Sequence, residues 1–152
     1  MIEVENTVVI ERPVEEVFSF VSNFENVPLW NYYVTDVRQT DDSPLDVGAT
    51  FYQVRKSDQQ SYRITKYEPN QKVIVETLPG SSPQFEMRFT FVEDSGGTRL
   101  IDAWRLDLGM NPIVERLGQR KVKSAVAENL VKLKELLETG SARLQDGRVS
   151  RL

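Results

Sequence analysis

The sequence contains no cysteine and no histidine. The first absence excludes a disulfide framework, and the two together exclude a zinc site built from thiolates or imidazoles. Serine–histidine and cysteine–histidine nucleophilic machinery is excluded as well. A general acid or base must then be Asp, Glu, Lys or Tyr. No apolar run approaches the roughly 20 residues of a membrane-spanning helix, so no integral membrane segment is expected. The opening residues, MIEVENTVVIER, lack the basic leader and apolar block of a signal peptide, and the expected location is cytoplasmic. A net charge of −4 with basic residues spread along the chain offers no footprint for nucleic acid. There is no low-complexity tract, linker or internal repeat.

What is present is an ordinary globular composition, 39% hydrophobic and 28% charged over 152 residues. That length fits one domain, which buries roughly 68–70% of its unfolded surface and so holds a core without covalent staples. Residues 2–11 alternate, with Val4, Asn6, Val8 and Ile10 on one side, as a half-buried strand does. RPVEEVFSFVSNF follows. Pro13 suits a first helical position, Glu15 and Glu16 favour the positive end of the helix dipole, and Val14, Val17, Phe18 and Val21 share a face. NFENVPLWNYYV (23–34) is unusual, because it combines turn residues with Phe24, Leu29, Trp30, Tyr32 and Tyr33. It reads as a short helical segment braced by its aromatics, with Trp30 in the core.

Six strands are predicted after it, at 34–40, 49–57, 60–68, 72–78, 84–93 and 98–108. Turn-rich separators divide them, the clearest being the Ser95-Gly96-Gly97 corner. Short links between neighbours imply antiparallel pairing. From Pro112 to about Glu138 the pattern is helical, with an apolar stripe of Ile113, Leu117, Val122, Val126, Leu130, Leu133 and Leu137, and Gly140 ends it. The single domain is placed at 1–140. The tail 141–152, SARLQDGRVSRL, shows no period and is expected to be flexible. The order strand, short helices, six strands, long helix is α+β, with helices on one face of an antiparallel sheet.

Several stretches carry a family resemblance: VIERPVEEVFSFVSNFENVPLW (9–30), Gly48, YEPNQKVIV (67–75), FTFVEDSGGTRLI (89–101) and VAENLVKLKELLE (126–138). In this order and spacing the chain resembles the START-like (SRPBCC, helix-grip) superfamily, and within it the polyketide cyclase/dehydrase-like group. The resemblance implies a curved seven-stranded antiparallel sheet wrapped around the long C-terminal helix, with two short helices between strands 1 and 2. It also implies a mostly apolar cavity between sheet and helix. Members bind lipids, quinones or polyketides, and some are enzymes. The expected partner is a small hydrophobic molecule; no cofactor or metal is expected, and the protein is expected to be a monomer or homodimer.

On this reading the candidate ligand-binding residues are Trp30, Tyr52, Tyr62, Phe85, Met87, Phe89, Leu100, Asp102, Trp104, Val126 and Asn129. Asp102 shares the face of Leu100, Trp104, Leu106 and Leu108, and an unpaired carboxylate on an apolar stripe has a raised pKa. It is the candidate catalytic residue, or a polar anchor for a ligand hydroxyl. Three other readings stay open for it: a water-exposed strand end, a bulge that turns it outward, or an ion pair with Arg55 or Arg88. Tyr52 and Tyr62 can each point a hydroxyl inward or lie at the surface. Asn6 and Asn129 can line the pocket or satisfy neighbouring backbone. Beside ligand binding stand two alternatives. One is a cyclase/dehydratase-like enzyme using a carboxylate with a Tyr or Arg. The other is an interaction protein whose helix, through Arg120, Lys121, Lys123, Lys132 and Lys134, meets an acidic partner.

Overall fold

Seven strands form one antiparallel sheet in the order β1-β7-β6-β5-β4-β3-β2. They are β1 (Ile2–Ile10), β2 (Val34–Gln39), β3 (Thr50–Arg55), β4 (Gln59–Glu68), β5 (Lys72–Thr77), β6 (Gln84–Asp94) and β7 (Gly97–Asp107). A computed structural model describes residues 1–152. The chain meanders from β2 to β7, and β1 closes the far edge beside β7. The sheet curls into a half-barrel, helped by register shifts between Val34 and Asp36 and between Ile64 and Lys66, where an extra residue bends the strand. Ser95 and Gly96 both adopt positive φ (51° and 84°) between the paired residues Asp94 and Gly97. That is the two-residue turn whose twist matches a hairpin.

Helix α1 (Val14–Ser22) and a 3-10 helix (Phe24–Leu29) link β1 to β2. The α1 face of Val14, Val17, Phe18 and Val21 is buried, and Phe18 meets Phe91 and Tyr67 edge-on. The aromatic-rich stretch at 23–34 is core at its start. Phe24 sits edge-on to Phe51 and Tyr62 and stacks on Phe89, while Trp30 packs against Phe89 from another side. Tyr32 and Tyr33 pack on each other toward the surface, with the Lys56 ammonium over the Tyr32 ring.

Helix α2 (Pro112–Thr139) begins at Asn111, whose Oδ1 accepts from the Ile113 and Val114 amides, and ends at Gly140 with φ 86°. It lies lengthwise along β1. Asn6 Nδ2 donates to the Lys123 carbonyl (3.2 Å), Lys134 Nζ donates to the Val9 carbonyl (2.5 Å), and the Met1 ammonium meets Glu115. The helix thereby covers an edge strand that would otherwise offer unpaired backbone groups.

Two sequence expectations are corrected. Ile113 and Leu117 do not belong to the inward stripe, for they are 78% and 64% exposed. Leu117 precedes Val126 by nine positions, which at about 100° per residue is half a turn out of phase. The inward set is Val126, Asn129, Leu130, Leu133, Leu136 and Leu137, all in the C-terminal half. Nor is the tail free. Ser141–Arg143 (β8) pairs with Val149–Arg151 (β9), burying Ala142, Leu144 and Ser150, and Arg148 donates to the Pro28 carbonyl. Each strand has three residues, too few to display a period, and the burial of Leu144 and Ala142 supplies the order.

Candidate functional site

The inner face of the sheet is built by cross-strand rows. Register sets Leu100 between Val8 and Phe91, Asp102 between Asn6 and Phe89, Trp104 between Val4 and Met87, and Leu106 between Ile2 and Phe85. Val73 and Val75 continue the Phe89 and Met87 rows on β5, and Tyr62 and Phe51 are paired on β4 and β3. The alternation of β6 and β7 thus brings Phe85, Met87, Phe89, Leu100, Asp102 and Trp104 together. Trp30 and Tyr62 join them through aromatic contacts, and Val126 and Asn129 face the same core from α2. All are buried except Trp104, which is half-buried.

Asp102 is the anomaly on this face. Its side chain is 2% exposed and its Oδ1 has no hydrogen-bond partner. It has no cationic neighbour either: Arg55 pairs with Asp58, and Arg88 with Glu86. Burial pushes its carboxyl up to about 8, and the nearby Trp104 indole partly offsets this. The Trp104 N–H is near the carboxyl but outside strict hydrogen-bonding geometry. At neutral pH the carboxyl is therefore mostly protonated and able to donate as well as accept. Apart from Arg55 Nε and Asp58 Oδ1, which face each other in an ion pair at 2.9 Å, three further buried atoms lack hydrogen-bond partners: Asn129 Oδ1, Trp104 Nε1 and Trp30 Nε1. Each such group costs about 1–3 kcal/mol, and native interiors rarely keep them without a reason. The interior thus offers acceptors from Asp102 and Asn129 and donors from the two indoles.

Tyr62 is buried, and burial raises its hydroxyl's pKa. Tyr52 is not part of the site. The register pairs it with Ser61 while Phe51 pairs with Tyr62, so the two tyrosines lie on opposite faces. Tyr52 hydrogen-bonds Gln59 beneath the Arg38 guanidinium. Asn6 is half-buried and its amide is used by the Lys123 carbonyl. Gln53 and Gln60 were missed by sequence reasoning. Both are buried, with Gln53 Nε2 donating to Gln60 Oε1 and Gln60 Nε2 to the Pro83 carbonyl. Their signal was parity, because each is two residues from an inward aromatic, Phe51 or Tyr62.

Two open depressions, of about 290 and 470 Å³, reach the site only at its margin, through Phe85 in the first and Trp104 in the second. Their linings are largely charged, including Glu76, Glu86, Arg105 and Asp107 in the first and Glu3, Glu5, Arg88 and Arg105 in the second. These charged residues belong to the convex face, and Asp102 lines neither depression. On the concave side the aromatic side chains pack on one another, from Phe51 through Tyr62 and Phe85 to Trp104. No three acidic side chains converge into a group able to hold a metal ion, and no helix is long and apolar enough to cross a membrane.

Residues 1–138 match the family described as polyketide cyclase / dehydrase and lipid transport. The chain belongs to this family. Its structure is similar to that of a START superfamily protein from Mycobacterium smegmatis (TM-score 0.67, 20% identity, covering 89% of this chain and 98% of that one). It is likewise similar to TTHA0849 from Thermus thermophilus (TM-score 0.73, 16% identity, 88% and 94%). A third similar structure is DynU16, a putative protein in the dynemicin biosynthetic locus (TM-score 0.69, 19% identity, 91% and 48%). At these identities the likeness concerns the fold, and it is the α+β helix-grip. Comparison with curated proteins gives no match. Membership in this family, on this fold, makes the protein one of a group built to handle hydrophobic molecules.

Proposed function

We propose that the protein binds a small, neutral, mostly apolar molecule of lipid, quinone or polyketide-like type between the concave face and α2. Asp102, Asn129 and the two indoles would be its polar contacts. The observation that carries this reading is the Asp102 carboxyl, buried without an ionic partner in the middle of an aromatic surface. A few placed polar groups in a greasy lining are how small-molecule sites fix orientation. Neutrality of the ligand follows from the charges: a protonated Asp102 supplies no counter-ion, and none of the inward residues named above is cationic. Because the lining aromatics pack on one another, binding is expected to involve their rotation. Trp104, half-buried, is the freest to move.

The test is native mass spectrometry of protein purified from its host, together with thermal shifts against decylubiquinone, an anthraquinone, a fatty alcohol and the matching fatty acid at pH 7. A co-purifying neutral molecule, or a shift with a neutral probe but not the fatty acid, is expected. An empty protein with no shift from any probe would overturn the reading.

A second reading is supported by the same residue. A carboxyl titrating near the working pH suits general acid–base chemistry, and Tyr62 is the buried hydroxyl on the same concave face. This would be a cyclase/dehydratase-like enzyme. Full turnover by Asp102→Asn on an identified substrate would eliminate it.

A further inference from the structure

The N-terminal half of α2 is built differently from the half that grips the sheet. Ile113 and Leu117, one turn apart, project away from the sheet, beside exposed Val114 and Met110. At about 100° per residue, Arg116 and Arg120 flank this apolar strip on one side and Lys121 on the other, with Lys123 a turn further along. None of the four cations has a carboxylate within 4.0 Å. The acid in this stretch, Glu115, is taken by the Met1 ammonium. A chain of net charge −4 therefore carries a locally cationic, apolar-centred helix face.

We infer that this face docks on an anionic lipid surface, inserting Ile113, Leu117 and Met110 while the arginines and lysines meet phosphate headgroups. An amphipathic helix with apolar side chains bordered by Lys and Arg has this chemistry. Neither of the two depressions described above is lined by this strip. A face-to-face contact with a second copy would set cations against cations. The inference stands on the surface alone and goes beyond the interior binding site.

The test is flotation of the full chain with phosphatidylcholine vesicles and with phosphatidylcholine–phosphatidylglycerol vesicles, at low and high salt. Binding is expected only to the phosphatidylglycerol vesicles and is expected to weaken with salt. Arg120→Gln with Lys121→Gln should weaken it about 20–30-fold, and Ile113→Asp with Leu117→Asp should abolish it. These positions are exposed, so unchanged far-UV circular dichroism is expected for both variants. Binding equal on both vesicle types, binding to neither, or binding indifferent to both variant pairs would overturn the inference. So would sedimentation showing a dimer, or a complex with an acidic protein, lost in the same variants while vesicle binding is absent.

Discussion

Replacing Asp102 by asparagine is expected to make the protein more stable, and increasingly so as the pH rises. The carboxyl titrates near its ordinary value of 3.8 when the chain is unfolded and is pushed up to about 8 by burial in the folded state. Below pH 4 both states hold the proton and the group is neutral to stability. Between about 4 and 8 the unfolded chain releases the proton while the folded chain keeps it. A proton bound more tightly by the native state makes stability fall with pH, by about 1.4 kcal/mol per unit. Above 8 the loss levels off. From pH 5 to pH 8 the wild type should therefore lose about 4 kcal/mol that Asp102→Asn does not lose. The amide has nearly the same shape, and any cost of its unpaired atoms, about 1–3 kcal/mol, is constant with pH. Glu138, whose carboxyl is held low by the Glu11 amide and Lys134, contributes the opposite slope, but equally in both proteins. Urea denaturation of the pair at pH 5, 6, 7 and 8 isolates the difference. Parallel curves, separated by a constant amount, would refute the reasoning and mean that Asp102 is ionised in the folded protein.

Two further predictions concern the long helix and the chain end. Gly118→Ala should raise stability by up to about 1 kcal/mol, read as a higher Tm. The added Cβ would rest 3.5 Å from Leu108 Cδ1 and 3.6 Å from Ile2 Cδ1, in ordinary contact, and this glycine has no positive φ to protect. Leu144→Ala should cost about 2–5 kcal/mol in chemical denaturation, as other buried leucine truncations do. No change would mean that the C-terminal hairpin does not pack as described.

The strands could be read from the sequence because each is half-buried and bounded by turn residues. Phe85, Met87, Phe89 and Phe91 alternate with Glu86, Arg88 and Thr90, and only one side can face a core. The same logic put Asp102 on the inward side of β7. It failed where the pattern was two-sided. In β3, Phe51 and Gln53 compete with Tyr52 and Val54, and the inward set contains a glutamine, so polarity alone misleads. Gln53 is buried because Gln60, across the strands, satisfies it. The phase of α2 was lost at its N-terminal half, where the helix leaves the core and burial no longer selects a face. The pairing of β1 with β7 joins the first and last strands of the seven-stranded sheet, which local periodicity does not report. The missing partners of Asp102, Asn129 and the indoles depend on interatomic geometry, for which residue type and spacing carry no signal.

The chain contains only two tryptophans, and both reach the same interior. Trp30 packs on Phe89, and Trp104 contacts Phe85 and stands next to Asp102. Their indole nitrogens are buried donors without partners. The tryptophan emission of this protein, excited where its five tyrosines do not absorb, is therefore an optical readout of that interior. A polar or quenching molecule that enters between sheet and helix changes the surroundings of both emitters. A partner that touches only the cationic end of α2 meets neither of them. Occupation of the inside and docking on the outside can thus be followed separately on the unlabelled protein.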